Sequence, residues 1–177
     1  MLFPRVQPLE VELGCGDASF LVAYAGLHSE RNFLGVERLL GRLRKLERKG
    51  RCAGLTNLRG VRLEAAYFVK YLLRPGSVQA LHLYFPDPWP KRRHWRRRLV
   101  NEAFPPIARA ALALGGTLYL RTDDAPYFAQ MQALLDAAPG FQPVETPAEL
   151  AGRLTDFERE FQARGIATLR AAYQRVG

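Results

Sequence analysis

Short apolar runs alternate with longer amphipathic stretches along most of the chain. Leu9 to Leu13, Asn32 to Glu37, Leu58 to Leu63, Val78 to Phe85 and Thr117 to Arg121 have the length and composition of strands. Between them, Phe20 to His28, Leu39 to Lys49, Ala65 to Leu73, Arg96 to Leu114 and Tyr127 to Ala137 read as helices, with Pro105-Pro106 expected to break the fourth. This alternation predicts an α/β fold built from βαβ units, with a mainly parallel sheet covered on both faces. The tail reads differently: strands at Phe141 to Thr146 and Ile166 to Tyr173 flank a helix from Asp156 to Ala163. Strands joined so late predict an antiparallel edge. No repeat, low-complexity tract or interdomain linker interrupts the pattern, so residues 1–177 are expected to form one domain.

Charge adds the first hint of a partner. The chain carries 26 Lys and Arg against 17 Asp and Glu, a net charge of +9 with a pI near 10.1. Such a field attracts polyanions, nucleic acid first and acidic membrane surfaces second. Cys15 and Cys52 are too few and too far apart for a disulfide framework or a zinc cluster. His28, His82 and His94 show no ligand spacing and are expected at the surface or in packing. No metal is therefore expected. The chain shows neither a signal-peptide pattern nor an apolar run long enough to span a bilayer, so no membrane association and a cytoplasmic location are expected.

The ends of the strands are rich in acids. Glu12-Leu13-Gly14-Cys15-Gly16-Asp17 follows the first strand, and Glu37, Glu64, Asp87 and Asp123 follow later ones. Ligands of open α/β sheets bind at this end. Gly14 and Gly16 would let the backbone approach a ligand closely, or they serve only a tight turn. Glu37 lies 21 residues beyond Gly16, near where nucleotide folds hold ribose hydroxyls. Glu12 and Asp17 would repel a pyrophosphate laid on the loop. They suit the cationic amine and sulfonium of S-adenosylmethionine, with a nicotinamide site as the second reading. Each acid also has a plain structural role open to it. Asp17 could cap a helix, Glu64 could be a solvated strand end, and Asp123 or Asp124 could start the helix containing Pro126.

Asp87 stands between Pro86 and Pro88, with Trp89 next and six basic residues between Lys91 and Arg98. The prolines would hold the carboxylate in a stiff turn. Trp89 could stack on a base or wall a pocket. The basic run suits phosphates, which would position a nucleic acid while Asp87 meets an uncharged base edge.

In these segments the sequence resembles the bacterial tRNA (guanine-N(7)-)-methyltransferases. "VELGCGDASF", "NFLGVER" and "LTNLRGVRLEAA" are similar to the family's first three strand segments. "LYFPDPWPKRRHWRRRLV" resembles its most specific signature, and "LRTDD" and "LTDFEREFQARG" complete the pattern. The resemblance implies a class I, Rossmann-like methyltransferase fold of about seven strands. It implies S-adenosylmethionine as donor, S-adenosylhomocysteine as product, and a variable-loop guanine of tRNA (position 46) as acceptor. It implies donor contacts at Glu12, Glu37, Glu64 and Asp87, with the glycine loop of Gly14 and Gly16 beside them. Substrate contacts fall on Lys91, Asp123, Thr155, Asp156, Phe157 and Glu158, and Asp87 is implied as the catalytic residue. Thr155 to Glu158 also reads as a capping box, which needs no substrate.

Three departures accompany the match. Glu64 stands where the family usually has Asp, Asp156 occupies an often basic position, and the first strand begins almost at Met1. A nucleic-acid amino-methyltransferase and a non-catalytic RNA-binding protein with a degenerate donor site remain the alternatives. A monomer or a homodimer would suit any of these readings.

Overall fold

A computed structural model describes residues 2–177. One seven-stranded sheet runs through it in the order β3-β2-β1-β4-β5-β7-β6. The strands are β1 (Leu9–Leu13), β2 (Asn32–Val36), β3 (Leu58–Val61), β4 (Val78–Tyr84), β5 (Leu112–Thr122), β6 (Phe141–Val144) and β7 (Leu169–Arg175). The helices are α1 (Ser19–Leu27), α2 (Leu40–Cys52), α3 (Ala65–Tyr71), α4 (Phe104–Ala111), α5 (Ala125–Asp136), α6 (Ala148–Ala151) and α7 (Asp156–Ala163). Strands β1 to β5 pair in parallel, whereas β7 runs antiparallel to both β5 and β6. The expected antiparallel edge is present.

Alternation along the strands gives the sheet two unlike faces. Val11, Leu13, Leu34, Val36, Leu81, Leu83, Leu118 and Leu120 enter an aliphatic core with Phe68, Phe104 and Met131 from α3, α4 and α5. The opposite face carries Glu10, Glu12, His82, Tyr84 and Arg121, all buried, against Phe20 and Tyr24 of α1. His82 is fully buried there, with Nε2 2.7 Å from Glu10 Oε2 and Nδ1 2.9 Å from the Tyr84 hydroxyl. Its role is packing within a polar chain that Arg31 closes on Glu10 at 2.8 Å.

The expected helix from Arg96 to Leu114 does not form. Arg92–Arg97 is instead a 3-10 helix, and α4 begins only at Phe104. Pro105 and Pro106 open α4 rather than break a helix, because N–H groups in a first turn have no intrahelical partner to lose. Leu112 to Leu114 already belong to β5, whose pairing with β4 shifts register between Val78 and Ala80. The short helix α6 lacks a sequence signal of its own.

Chain order reverses at β1, which pairs with β2 on one side and β4 on the other. This is the switch point where open α/β sheets leave a crevice. The loops after β1, β2, β3 and β4 all open there.

Candidate functional site

After β1 the chain turns through Gly14 and Gly16, at φ 78° and 55°, a region that disfavours side chains bearing Cβ. The Gly14 and Cys15 amides both donate to the Val36 carbonyl, which fastens the turn to the end of β2. Glu37 follows β2, and its carboxylate accepts from Gly16 N at 3.2 Å and Leu39 N at 2.8 Å. One buried acid therefore ties the first two strand ends together.

Beside this loop lies a cavity of about 600 Å³, lined by Gly14, Glu37, Glu64, Asp87, Trp89 and Arg97, with Leu13, Val36, Leu39, Leu63 and Leu83 as its apolar wall. Its size falls in the usual range for small-molecule sites. The structure thus brings Gly14, Glu37, Glu64 and Asp87 to one space. Gly16 reaches it through Glu37. Glu12 does not line it, because alternation along β1 turns that side chain to the polar face of the sheet.

Glu12 is 4% exposed, and its Oε2 has no hydrogen-bond partner among the described residues. Burial raises its pKa to about 8, Arg121 opposes the rise, and Asp17 and Glu37 add to it. Glu64 is exposed and caps α3 with both oxygens, accepting from Ala66 N at 2.9 Å and Tyr67 N at 2.7 Å.

Asp17 is not the N-cap of α1, which is Ala18. Its carboxylate faces Lys49 Nζ at 3.0 Å. Burial works to raise its pKa, but the Lys49 bond and the Ser19 amide hold it at about 2. Asp124, not Asp123, caps α5 by accepting from Tyr127 N at 2.8 Å. Asp123 is left exposed at the end of β5.

Asp87 sits at the lip of the cavity and is exposed, with no hydrogen bond to the other described residues. Its loop is held in an unusual shape. Phe85 and Trp89, on either side of Pro86-Asp87-Pro88, have φ of 50° and 45°. Left-handed conformations at bulky residues cost of order 1–3 kcal/mol each and persist only where the surroundings enforce them. Phe85 donates its amide to Arg121 O at 2.8 Å and packs on Phe157 and Phe161 of α7. Trp89 meets the His94 ring edge-on and carries the Arg97 guanidinium 4.9 Å from its ring centre. Lys91 is exposed at the start of the 3-10 helix.

The stretch Thr155 to Glu158 divides in two. Thr155 and Glu158 form the capping box of α7, and both are buried. The Glu158 carboxylate also accepts from Arg121 and Arg170, each at 2.8 Å, which leaves it no open edge. Asp156, paired with Arg159, and Phe157, 49% exposed, face outward. Among the described residues no cluster of three or more His, Cys, Asp or Glu is placed to hold a metal ion. No described helix is long and apolar enough to cross a membrane.

A family model described as putative methyltransferase matches residues 6–171. The tRNA (guanine-N(7)-)-methyltransferase of Leifsonia xyli subsp. xyli is 39% identical over 98% of this chain and 78% of its own length. That of Syntrophotalea carbinolica is 36% identical over 93% of this chain and 72% of its own. The chain belongs to the tRNA (guanine-N(7)-)-methyltransferase family. Among solved structures, the 16S rRNA methyltransferase KamB superposes with a TM-score of 0.68 at 17% identity, covering 99% of this chain and 91% of that one. That likeness speaks for the class I methyltransferase fold.

Two arginines of the site carry no plain mark in the sequence. Arg121 is 1% exposed on β5, and beyond Glu158 it donates to Leu150 O and Arg153 O, which fastens α6 and α7 to the sheet. Its only signal is a charge at an inward position of an apolar strand. Arg98, 3% exposed, looks in sequence like one more member of the basic run. Its only signal is the spacing of three from Trp95, which eclipses the two in a 3-10 helix.

Proposed function

We propose that this chain transfers the methyl group of S-adenosylmethionine to N7 of a guanine in the variable loop of tRNA (position 46), acting as a single domain in the cytoplasm. The observation that carries the reading is Asp87, held at the cavity lip by two left-handed neighbours and followed directly by a basic segment. Family membership supports the same reaction and substrate.

The cavity's chemistry fits the donor. Carboxylates and apolar walls suit a cationic amine, a sulfonium and ribose hydroxyls, and they disfavour a pyrophosphate. Glu37 and the Gly14–Gly16 turn would hold the ribose and amino-acid portions, Glu64 and the apolar wall the adenosine. Glu12, buried and partly unpartnered beneath the loop, would give up its proton on donor binding and then set its charge toward the amine. When bound, S-adenosylmethionine supplies an electrophilic methyl on sulfur.

N7 of guanine has an in-plane lone pair and needs no base to remove a proton. The protein's contribution is therefore positioning and electrostatics. Asp87 would accept hydrogen bonds from the guanine's Watson–Crick edge, orienting N7 toward the cavity. Its charge would also stabilise the base as it becomes cationic. Trp89 offers a face for stacking. Lys91, Asp123, Asp156 and Phe157, all exposed, would serve as substrate contacts, while Thr155 and Glu158 would serve by holding α7 in place.

The test is nucleoside analysis of tRNA incubated with the protein and labelled donor. The expected product is 7-methylguanosine at one variable-loop position. Label on an exocyclic amine would point to an amino-methyltransferase instead. Donor binding without any transfer to tRNA would point to a non-catalytic RNA-binding protein.

A further inference from the structure

We infer that Arg98 is a positioning residue for this reaction, fixing the Pro86-Asp87-Pro88 turn rather than contacting phosphate; the inference rests on Asp87 acting at the acceptor base. Arg98 ends the 3-10 helix and points inward. Its Nε donates to the Pro88 carbonyl at 2.7 Å, one residue from Asp87, and its Nη1 donates to Gln130 Oε1 on α5. Gln130 Nε2 in turn donates to Val100 O at 3.1 Å.

The guanidinium is also stacked. It lies 4.6 Å from the ring centre of Trp95 and 4.6 Å from that of Tyr127. Tyr127 is fully buried and accepts from Val100 N at 2.9 Å, so the floor of this stack is rigid. Two of its N–H groups are bonded, two rings pack on it and the residue is 3% exposed, so little of the cation is open to a phosphate.

The turn requires such a holder. Trp89 is left-handed, and a proline at position 88 has no amide with which to anchor itself. The preceding end of the turn is fastened by the Phe85 amide on Arg121 O. The following end is fastened by Arg98 on the Pro88 carbonyl. Asp87 lies between the two fixed points.

Arg98→Met keeps the aliphatic stem and removes every N–H donor. At saturating donor and tRNA its kcat should fall on the order of ten- to a hundredfold, the loss that ångström-scale misplacement brings. Both dissociation constants should stay within about twofold. Arg98→Lys can still donate to the Pro88 carbonyl and should recover much of kcat. Gln130→Leu leaves Arg98 in place with one bond fewer, and should lose rate in the same direction by less. That variant carries the test if Arg98→Met does not fold.

A second readout needs no substrate. The chain's 2 tryptophans, Trp89 and Trp95, both lie in this segment, so tryptophan emission reports on it. Emission should shift to the red and quench more readily in Arg98→Met, and largely return in Arg98→Lys. An unchanged kcat in a folded Arg98→Met protein would overturn the inference. So would a loss confined to tRNA affinity with a shallower salt dependence, which marks a phosphate ligand. A wild-type protein that makes no 7-methylguanosine counts against the proposed reaction, while the fluorescence arm still decides whether Arg98 orders the turn.

Discussion

Arg121 and Glu158 meet at 2.8 Å, with side chains 2% and 0% exposed. Arg121 belongs to the sheet and Glu158 to α7, so this ion pair docks the helix that packs Phe157 and Phe161 on the turn before Asp87. A buried pair of this kind is weak evidence for stability, since desolvation offsets much of the attraction. Removing one partner is another matter. Glu158→Gln leaves the Arg121 cation buried without its counter-charge and should destabilise the fold by about 3–5 kcal/mol. Burial works to raise the Glu158 pKa, but the Thr155 amide, Arg170 and Arg121 hold it below its ordinary 4.5. A carboxylate depressed in the folded state contributes stability above its unfolded pKa and loses it as pH falls through the folded value. Thermal unfolding between pH 7 and pH 3 should therefore show a loss in the wild type that is smaller in Glu158→Gln.

Glu12 gives the opposite slope. With its pKa raised to about 8 by burial, the folded chain keeps a proton that the unfolded chain gives up near 4.5. Stability from this group falls as pH climbs from about 4.5 to about 8, and levels off above that window. Glu12→Gln should remove the slope, gaining most over the wild type near pH 8. If Glu12 faces the donor's amine, donor binding at pH 7 should release a proton. Calorimetry in two buffers of different ionisation enthalpy measures that release, and buffer-independent heats would argue against the contact.

Asp87→Asn preserves the shape of the turn but removes the charge and presents two N–H donors to a base edge that also donates. We expect turnover to fall by a factor on the order of 100 or more, as when one preorganised electrostatic group is lost. The loss should persist in single-turnover methylation with both substrates saturating. Recovery of the wild-type rate at saturation would reduce Asp87 to a binding role.

Arg96 and Arg97 are the exposed members of the Arg96-Arg97-Arg98 triplet. Replacing both with Gln should weaken tRNA binding and lower the slope of log affinity against log salt by roughly one per lost phosphate contact. Circular dichroism should be unchanged. An unaltered slope would make these arginines a solvated face. Arg98 does not belong in that test, because it is buried and bound to Pro88, Gln130 and two rings.

What the sequence determined by itself was whatever depends on short-range rules. Apolar runs of strand length located every strand core, because side chains alternate within a few residues. The capping box located α7 at Asp156–Ala163, because its hydrogen bonds span only three residues. The motifs also pointed to the acids at the strand ends. Tertiary structure decided what each acid experiences. Glu12 and Glu37 are both buried acids near one loop, yet Glu37 accepts two backbone amides while an oxygen of Glu12 has no described partner. That difference follows from which face of the sheet each side chain enters and from what crosses it. The basic run was the least legible stretch. Its last three arginines were expected to open a helix from Arg96 to Leu114, but Arg92–Arg97 is 3-10, and contacts with Pro88 and with Tyr127 and Gln130 of α5 bury the last arginine. Those partners lie up to 32 residues away in sequence, and only the folded sheet brings them within hydrogen-bonding reach.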